Sequence, residues 1–123
     1  NAGFRVYGSG ELLIEENVWI GRNCHFYTIG RARIKIGSNT EIAPECVFNS
    51  QSHHVGTAEH RAGECIHHDI SVGSGVWIGT RSVILCEQIG NGAVIGAGAV
   101  VLSRVAENTL SAGIPAAEKK TLS

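Results

Sequence analysis

Between Val72 and Val101 the chain reads Val72-Gly-Ser-Gly-Val-Trp, Ile78-Gly-Thr-Arg-Ser-Val, Ile84-Leu-Cys-Glu-Gln, Ile89-Gly-Asn-Gly-Ala-Val, Ile95-Gly-Ala-Gly-Ala-Val. An aliphatic anchor returns about every six residues, usually with glycine beside it, and neither a helix nor an ordinary hairpin sheet produces that spacing. Six residues fit one short strand and one turn, repeated so that each anchor stacks over its equivalent in the next coil; this is the hexapeptide signature of a parallel β-helix. The same period recurs upstream in Ile14, Ile20 and Phe26 and again in Ile36, Ile42 and Phe48. Four residues after each anchor stands a small or branched side chain, among them Cys24, Thr40, Cys46, Ser82, Ala93 and Ala99, which suits the corner of a narrow three-walled prism. Gly21, Gly37, Gly79, Gly90 and Gly96 follow anchors directly, where the turns are expected to need backbone angles that only glycine adopts without strain.

The 123 residues suit a single all-β domain. Residues 1–13 read as an irregular lead-in or a degenerate first coil, 14–50 as coils, 51–69 as an extruded loop, 70–105 as coils again and 106–123 as a C-terminal cap and tail. The run Gly30-Arg31-Ala32-Arg33 breaks the period and is expected to bulge at a corner. A solenoid of this size buries only a thin core, so one flat wall is expected to need a second copy. Ten basic and eleven acidic residues, with no basic cluster before Lys119-Lys120, disfavour nucleic acid or a membrane surface as the main ligand and leave a small molecule. No stretch has the roughly 18 to 20 apolar residues of a membrane span and no signal-peptide pattern stands at the start, so a cytoplasmic protein is expected. Cys24, Cys46, Cys65 and Cys86 have no CxxC spacing, and free thiols are the reading that follows.

The extruded loop concentrates the chemistry. It holds His53, His54, His60, His67 and His68 together with Glu59, Glu64 and Asp69. Loops on rigid scaffolds are where function tends to sit. Ser52-His53 closes the last regular hexad, so its imidazole is expected to be held by rigid strand yet face open space, where a neutral ring with a reference pKa of about 6.5 can accept a proton. His54 replaces it if the strand ends one residue early, because a one-residue slip reverses facing. Asp69, Glu59 or Glu64 is a candidate to orient the ring. Trp77, one residue before a core anchor, is expected to cover a subunit contact or line a ligand slot; Trp19 occupies the matching place before Ile20.

Ser52-His53, the run Val76-Trp77-Ile78-Gly79, the hexads from Ile89 to Val101 and the terminal Ala112-Gly113-Ile114-Pro115-Ala116 together resemble the hexapeptide-repeat acyltransferases, in particular the galactoside, maltose and polysaccharide O-acetyltransferases. The interval from His53 to Trp77, 24 residues by subtraction, is similar to that family's. The resemblance implies a left-handed parallel β-helix and a homotrimer with its sites between subunits. It implies acetyl-CoA as co-substrate, a sugar hydroxyl as acceptor and His53 as general base. Trp77 and His54 are then candidates for acceptor binding, and Trp77, Thr80, Ala97 and Lys120 for the cofactor. Leu102, Ser103 and Ala117 depart from the family's polar and basic residues, a loss that Arg104, Lys119 and Lys120 are expected to offset. N-acetylation of an amino sugar or other small acceptor, and a non-catalytic trimeric binding module, are the alternatives. No metal is expected: the trimeric β-helix carbonic anhydrases use two histidines four residues apart, whereas the intervals among His53, His54, His60 and His67 are 1, 6 and 7.

Overall fold

The computed structural model describes residues 3–123; the first two residues of the expected lead-in lie outside it. Its short strands stack into three walls of a prism. The first wall is built by Arg5–Tyr7, His25–Tyr27, Val47–Asn49, Val83–Ile84 and Val100–Val101. The second contains Glu11–Ile14, Arg33–Ile36, Ile70–Val72 and Gln88–Ile89, extended by a bridge from Ile89 to Val105. The third contains Trp19–Ile20, Glu41–Ile42, Trp77–Ile78, Val94–Ile95 and Thr109–Ala112. All of these pair in parallel; the last strand, Ala117–Thr121, is added antiparallel to Thr109–Ala112.

The anchors fill the interior in columns. Phe26, Phe48, Ile84 and Val101 line up behind the first wall, Ile36, Val72 and Ile89 behind the second, and Ile20, Ile42, Ile78 and Ile95 behind the third, all buried. The small residues that precede them by two, such as Cys24, Cys46, Ser82 and Ala99, close the corners. Cys46 and Ser82 donate to the carbonyl of Gly79 at 3.2 and 2.8 Å, so even the polar corner groups are satisfied. Burial pushes the Cys86 thiol above its ordinary value, and Cys46 is pushed the same way by its neighbour Cys24 and by burial.

The glycines work differently from the sequence expectation. In the first and third walls the left-handed backbone position is three residues before the inward residue, not directly after it: Gly75, Gly92 and Gly98 occupy it in the later coils, and Asn17, Asn23, Asn39, Glu45, Arg81 and Asn108 elsewhere; the second-wall anchors Ile36, Val72 and Ile89 lack it. Gly21, Gly37, Gly79 and Gly90 are required because the next coil passes directly over them; a Cβ at Gly79 would lie 2.6 Å from the Ala97 nitrogen, and one at Gly21 would lie 2.5 Å from that of Pro44. Glu45 and Arg81 stand in the left-handed region one coil apart, joined by an ion pair of 2.8 Å.

The boundaries also shift. Arg5–Tyr7 and Glu11–Ile14 are regular wall strands, so the expected lead-in is a first coil, and coils continue to Ala112, past residue 105. The break at Gly30 is a 3-10 turn over Ile29–Arg31, with Gly30 and Arg31 both left-handed. The extruded segment is an ordered antiparallel hairpin, Gln51–Val55 against Ala62–His67, which leaves the prism at the corner between the first and second walls.

The walls differ on their outer faces. The second carries Glu11 paired with Arg33 at 3.1 Å and Glu15 with Lys35 at 3.6 Å, exposed ion pairs of little energetic weight that mark a face turned to water. The first presents half-buried Val47, Val83 and Val100, and the third presents Trp19 and Trp77, 51% and 56% exposed. A shallow cleft of about 150 Å³ opens at the N-terminal end, lined by Phe4, Ile14, Val18, Trp19 and Ile20.

Candidate functional site

His53 does not end a wall. The last wall residue before the break is Asn49, whose Oδ1 accepts the Gln51 N–H at 2.9 Å and turns the chain outward; His53 stands on the hairpin, exposed, opposite Cys65. Its Nδ1 lies 2.9 Å from the carbonyl oxygen of Gly63. A carbonyl only accepts, so Nδ1 carries the proton, and in the neutral ring Nε2 keeps its lone pair. The orienting group is therefore a backbone carbonyl and none of the three carboxylates weighed from sequence. Asp69 is engaged elsewhere, its Oδ1 accepting the Arg33 N–H at 2.8 Å. No sequence signal marks a carbonyl as a partner; only the pairing of His53 with Cys65 brings Gly63 across.

His54 falls in the bulge between His53 and Val55, where the register shifts and it has no cross-strand partner. His67 packs its ring over Gly30, where any Cβ would collide with it, and His68 Nδ1–H donates to the Asp69 carbonyl at 2.8 Å. The histidines of the hairpin thus serve different local roles, and among the described residues no cluster of three or more His, Cys, Asp or Glu is placed to hold a metal ion.

The remaining candidates gather on the other side of the prism. Strand registers put Trp19, Glu41, Trp77, Val94, Leu110 and Lys120 in one outward column down the third wall. Thr80 and Ala97 sit on the edge where this wall turns into the first, Ala97 directly over Gly79, and Thr80 Oγ1 donates to the Pro44 carbonyl at 2.7 Å. Trp77, Thr80, Ala97 and Lys120 therefore share one face and its edge. Arg104 does not join them: its guanidinium is committed to Glu87 at 2.7 Å and Gln88 at 2.8 Å, so the basic group expected near the edge is left to Lys119 and Lys120. All four cysteines are free, Cys24, Cys46 and Cys86 buried and Cys65 exposed. Among the described residues no helix is long and apolar enough to cross a membrane.

Comparison with known proteins adds sequence relatives to this geometry. The chain is 35% identical over 106 residues to galactoside O-acetyltransferase of Escherichia coli, covering 80% of this chain and 51% of the relative. A solved galactoside acetyltransferase in complex with coenzyme A superposes with a TM-score of 0.72 at 28% identity, covering 99% of this chain and 66% of that one. The maltose O-acetyltransferase of Clostridium difficile 630 gives 0.69 at 26% identity, covering 98% and 71%. No family model matches. The chain spans about half the length of the curated relatives it matches.

A three-walled parallel solenoid of six-residue rungs with one hairpin extruded from a corner defines the left-handed β-helix class. With these relatives, the chain belongs to the hexapeptide-repeat acyltransferase family.

Proposed function

We propose that the chain transfers the acetyl group of acetyl-CoA to a hydroxyl of a saccharide, with His53 as general base, at sites shared between the copies of a homotrimer. The observation that carries this reading is the hydrogen bond from His53 Nδ1 to the Gly63 carbonyl, which fixes the tautomer with Nε2 basic and outward. The relatives named for O-acetylation of galactoside and maltose support the acceptor class, and the solved neighbour with coenzyme A supports the donor.

The face bearing Trp77, Thr80, Ala97 and Lys120 fits a long, slender thioester carrier. The indole offers an apolar plane, the edge residues are small, and lysine stands at the column's end for phosphate. Acetyl-CoA supplies the activated acyl carbonyl and a thiol leaving group. Nε2 of His53 takes the proton from the acceptor hydroxyl as its oxygen attacks that carbonyl, and the same nitrogen returns the proton to the departing sulfur. A positioned base of this kind contributes about 10²- to 10⁴-fold.

The placement of the two halves supports a trimer. The hairpin leaves the corner opposite the third wall, so His53 and Trp77 face away from each other within one chain and approach only across two copies. The apolar outer faces of the first and third walls supply the contact, and the charged second wall faces water. Four unpaired cysteines fit a reducing compartment, which supports the cytoplasm as location.

The test is release of free CoA from acetyl-CoA in the presence of neutral sugars, amino sugars and neither, for the parent and for His53→Ala. Turnover with neutral sugars that is lost in the variant while the trimer and CoA binding persist is the expected result. Transfer to amino groups alone would replace the acceptor, no turnover with any acceptor would leave a binding module, and a His53→Ala enzyme within a few-fold of the parent would remove His53 from the base role.

A further inference from the structure

Two of the four thiols stand in adjoining places of one corner column. Cys24 and Cys46 immediately precede His25 and Val47, which pair in register, and the His25 N–H donates to the Cys46 carbonyl at 2.9 Å. The same place before a first-wall strand is held by Phe4 one coil earlier and by Ser82 and Ala99 in the coils that follow. Both cysteines are fully buried. Each Sγ donates to a carbonyl of the following coil, Cys24 to Ala43 at 3.3 Å and Cys46 to Gly79 at 3.2 Å. The proposed acetyl transfer uses neither thiol.

What a stacked pair of thiols can hold is set by its spacing. Equivalent atoms of neighbouring strands lie about 4.7–4.9 Å apart. A disulfide draws its Cβ atoms to about 3.5–4.5 Å, so side chains stacked in parallel stand too far apart to close one, and both are free thiols. A soft cation bound in a line between two thiolates matches the spacing, since two metal–sulfur bonds of about 2.3 Å place the sulfurs about 4.6 Å apart. Zinc asks for four ligands. The column offers it only the Phe4 ring on one side and, on the other, a Ser82 hydroxyl that already donates to the Gly79 carbonyl at 2.8 Å. Charge narrows the choice further: a divalent ion with two thiolates is neutral, whereas a monovalent ion leaves a net negative charge in the apolar interior.

We infer that Cys24 and Cys46 form a two-coordinate site for a soft divalent cation of the mercuric type, preferred over monovalent silver or cuprous ion and independent of acetyl transfer. Each sulfur releases its proton to solvent and forms one bond to the ion, with no change of oxidation state. When Cys24 gives up its proton the Cys46 S–H turns toward it, which holds the Cys24 thiol down at about 7 and makes it the first ligand. The Gly79 carbonyl keeps the Ser82 hydroxyl as a donor after the Cys46 proton leaves. Entry requires the corner at residues 43–46 to open, so uptake is expected to be slower than reaction at exposed Cys65.

The experiment titrates the full chain with mercuric chloride in a Cys65→Ser, Cys86→Ser background, alone and with Cys24→Ser, Cys46→Ser or Cys24→Ala added. Serine and alanine already occupy this column at Ser82 and Ala99, so each variant is expected to keep the parent's far-ultraviolet spectrum. The background protein is expected to take up one ion per chain, with two sulfur neighbours in X-ray absorption and unchanged sedimentation. Each single variant is expected to bind about 10²- to 10⁴-fold more weakly, because the second ligand is no longer supplied within the chain. Silver is expected to bind more weakly than mercury, and zinc to leave the bound ion in place. Three or four sulfur neighbours, bridging between chains, or a single variant that binds as tightly as the background overturns the site. Displacement by zinc, or closure of a Cys24–Cys46 disulfide by a mild oxidant such as diamide, overturns the spacing argument and the site with it.

Discussion

The prism and the hairpin use the same kind of backbone for opposite ends. In the prism each strand inside the stack is bonded to the coils on either side, its anchors are buried, and its outer residues repeat by column, so no inner rung moves without its neighbours. In the hairpin, residues 51–55 pair only with 62–67, nearly every side chain is exposed, and the roots are fastened at Asn49 and by the His68 N–H to the Ser50 carbonyl at 2.9 Å. Stiffness and exposed polar side chains are thus separated: the prism holds the fold, and a short exposed ribbon carries His53, whose Nδ1–H is held by the Gly63 carbonyl of the facing strand. Separable regions are expected to fail separately.

The sharpest break would come from His53→Ala, expected to lower kcat/KM for acetyl transfer by about 10²- to 10⁴-fold with the melting temperature unchanged, measured by CoA release and calorimetry. A large drop in melting temperature would tie the hairpin to the core and end the contrast. The reciprocal change is Ile78→Ala, which empties a fully buried anchor in the middle of the third wall; it is expected to cost about 2–5 kcal/mol in urea unfolding. Gly79→Ala is expected to cost about 1–3 kcal/mol by the same measurement, because its Cβ would press on the Ala97 backbone, which cannot swing aside as a flexible side chain would. Val83→Asp alters only the half-buried outer face of the first wall, so sedimentation is expected to show a smaller species while the far-ultraviolet spectrum keeps its β shape. A variant that remains trimeric would move the contact to another wall. The smallest effect is a count: of the four cysteines only Cys65 is exposed, so one thiol per chain is expected to react with a disulfide reagent in the native protein and four after unfolding.

What could be read in advance follows physical constraint. Ile36, Ile42, Ile78, Ile84 and Ile95 were legible because a narrow core accepts only an aliphatic group at each wall, and that demand repeats at a fixed interval. Trp77 was legible as an outward residue for the same reason, since it neighbours an anchor. The left-handed turn position lies two residues past the one the sequence suggests: Gly is common both directly after the anchor, where the next coil crowds it, and three before the next, where the backbone is left-handed, and only the fold separates the two demands. The first coil reads from the sequence as either an irregular lead-in or a degenerate coil, because Gly3, Gly8 and Gly10 do not keep the six-residue spacing of later coils; the pairing of Val6 with Phe26 and Leu12 with Ile34 makes it a coil. Arg104 reads from the sequence as a free cation because Glu87 and Gln88, 17 and 16 residues upstream, become neighbours only when coils stack.

The one-dimensional pattern by itself determined the period, the anchors and the identity of the chemistry-bearing residues, because steric volume and side-chain reactivity belong to residues one at a time. The tertiary structure alone decided which groups meet. It gave His53 a backbone carbonyl as partner, withdrew Arg104 and Asp69 into other contacts, and set Trp77 and Lys120 in one column. Those are properties of pairs brought together from distant coils, and the spacing along the chain carries no record of a hydrogen bond made across the stack.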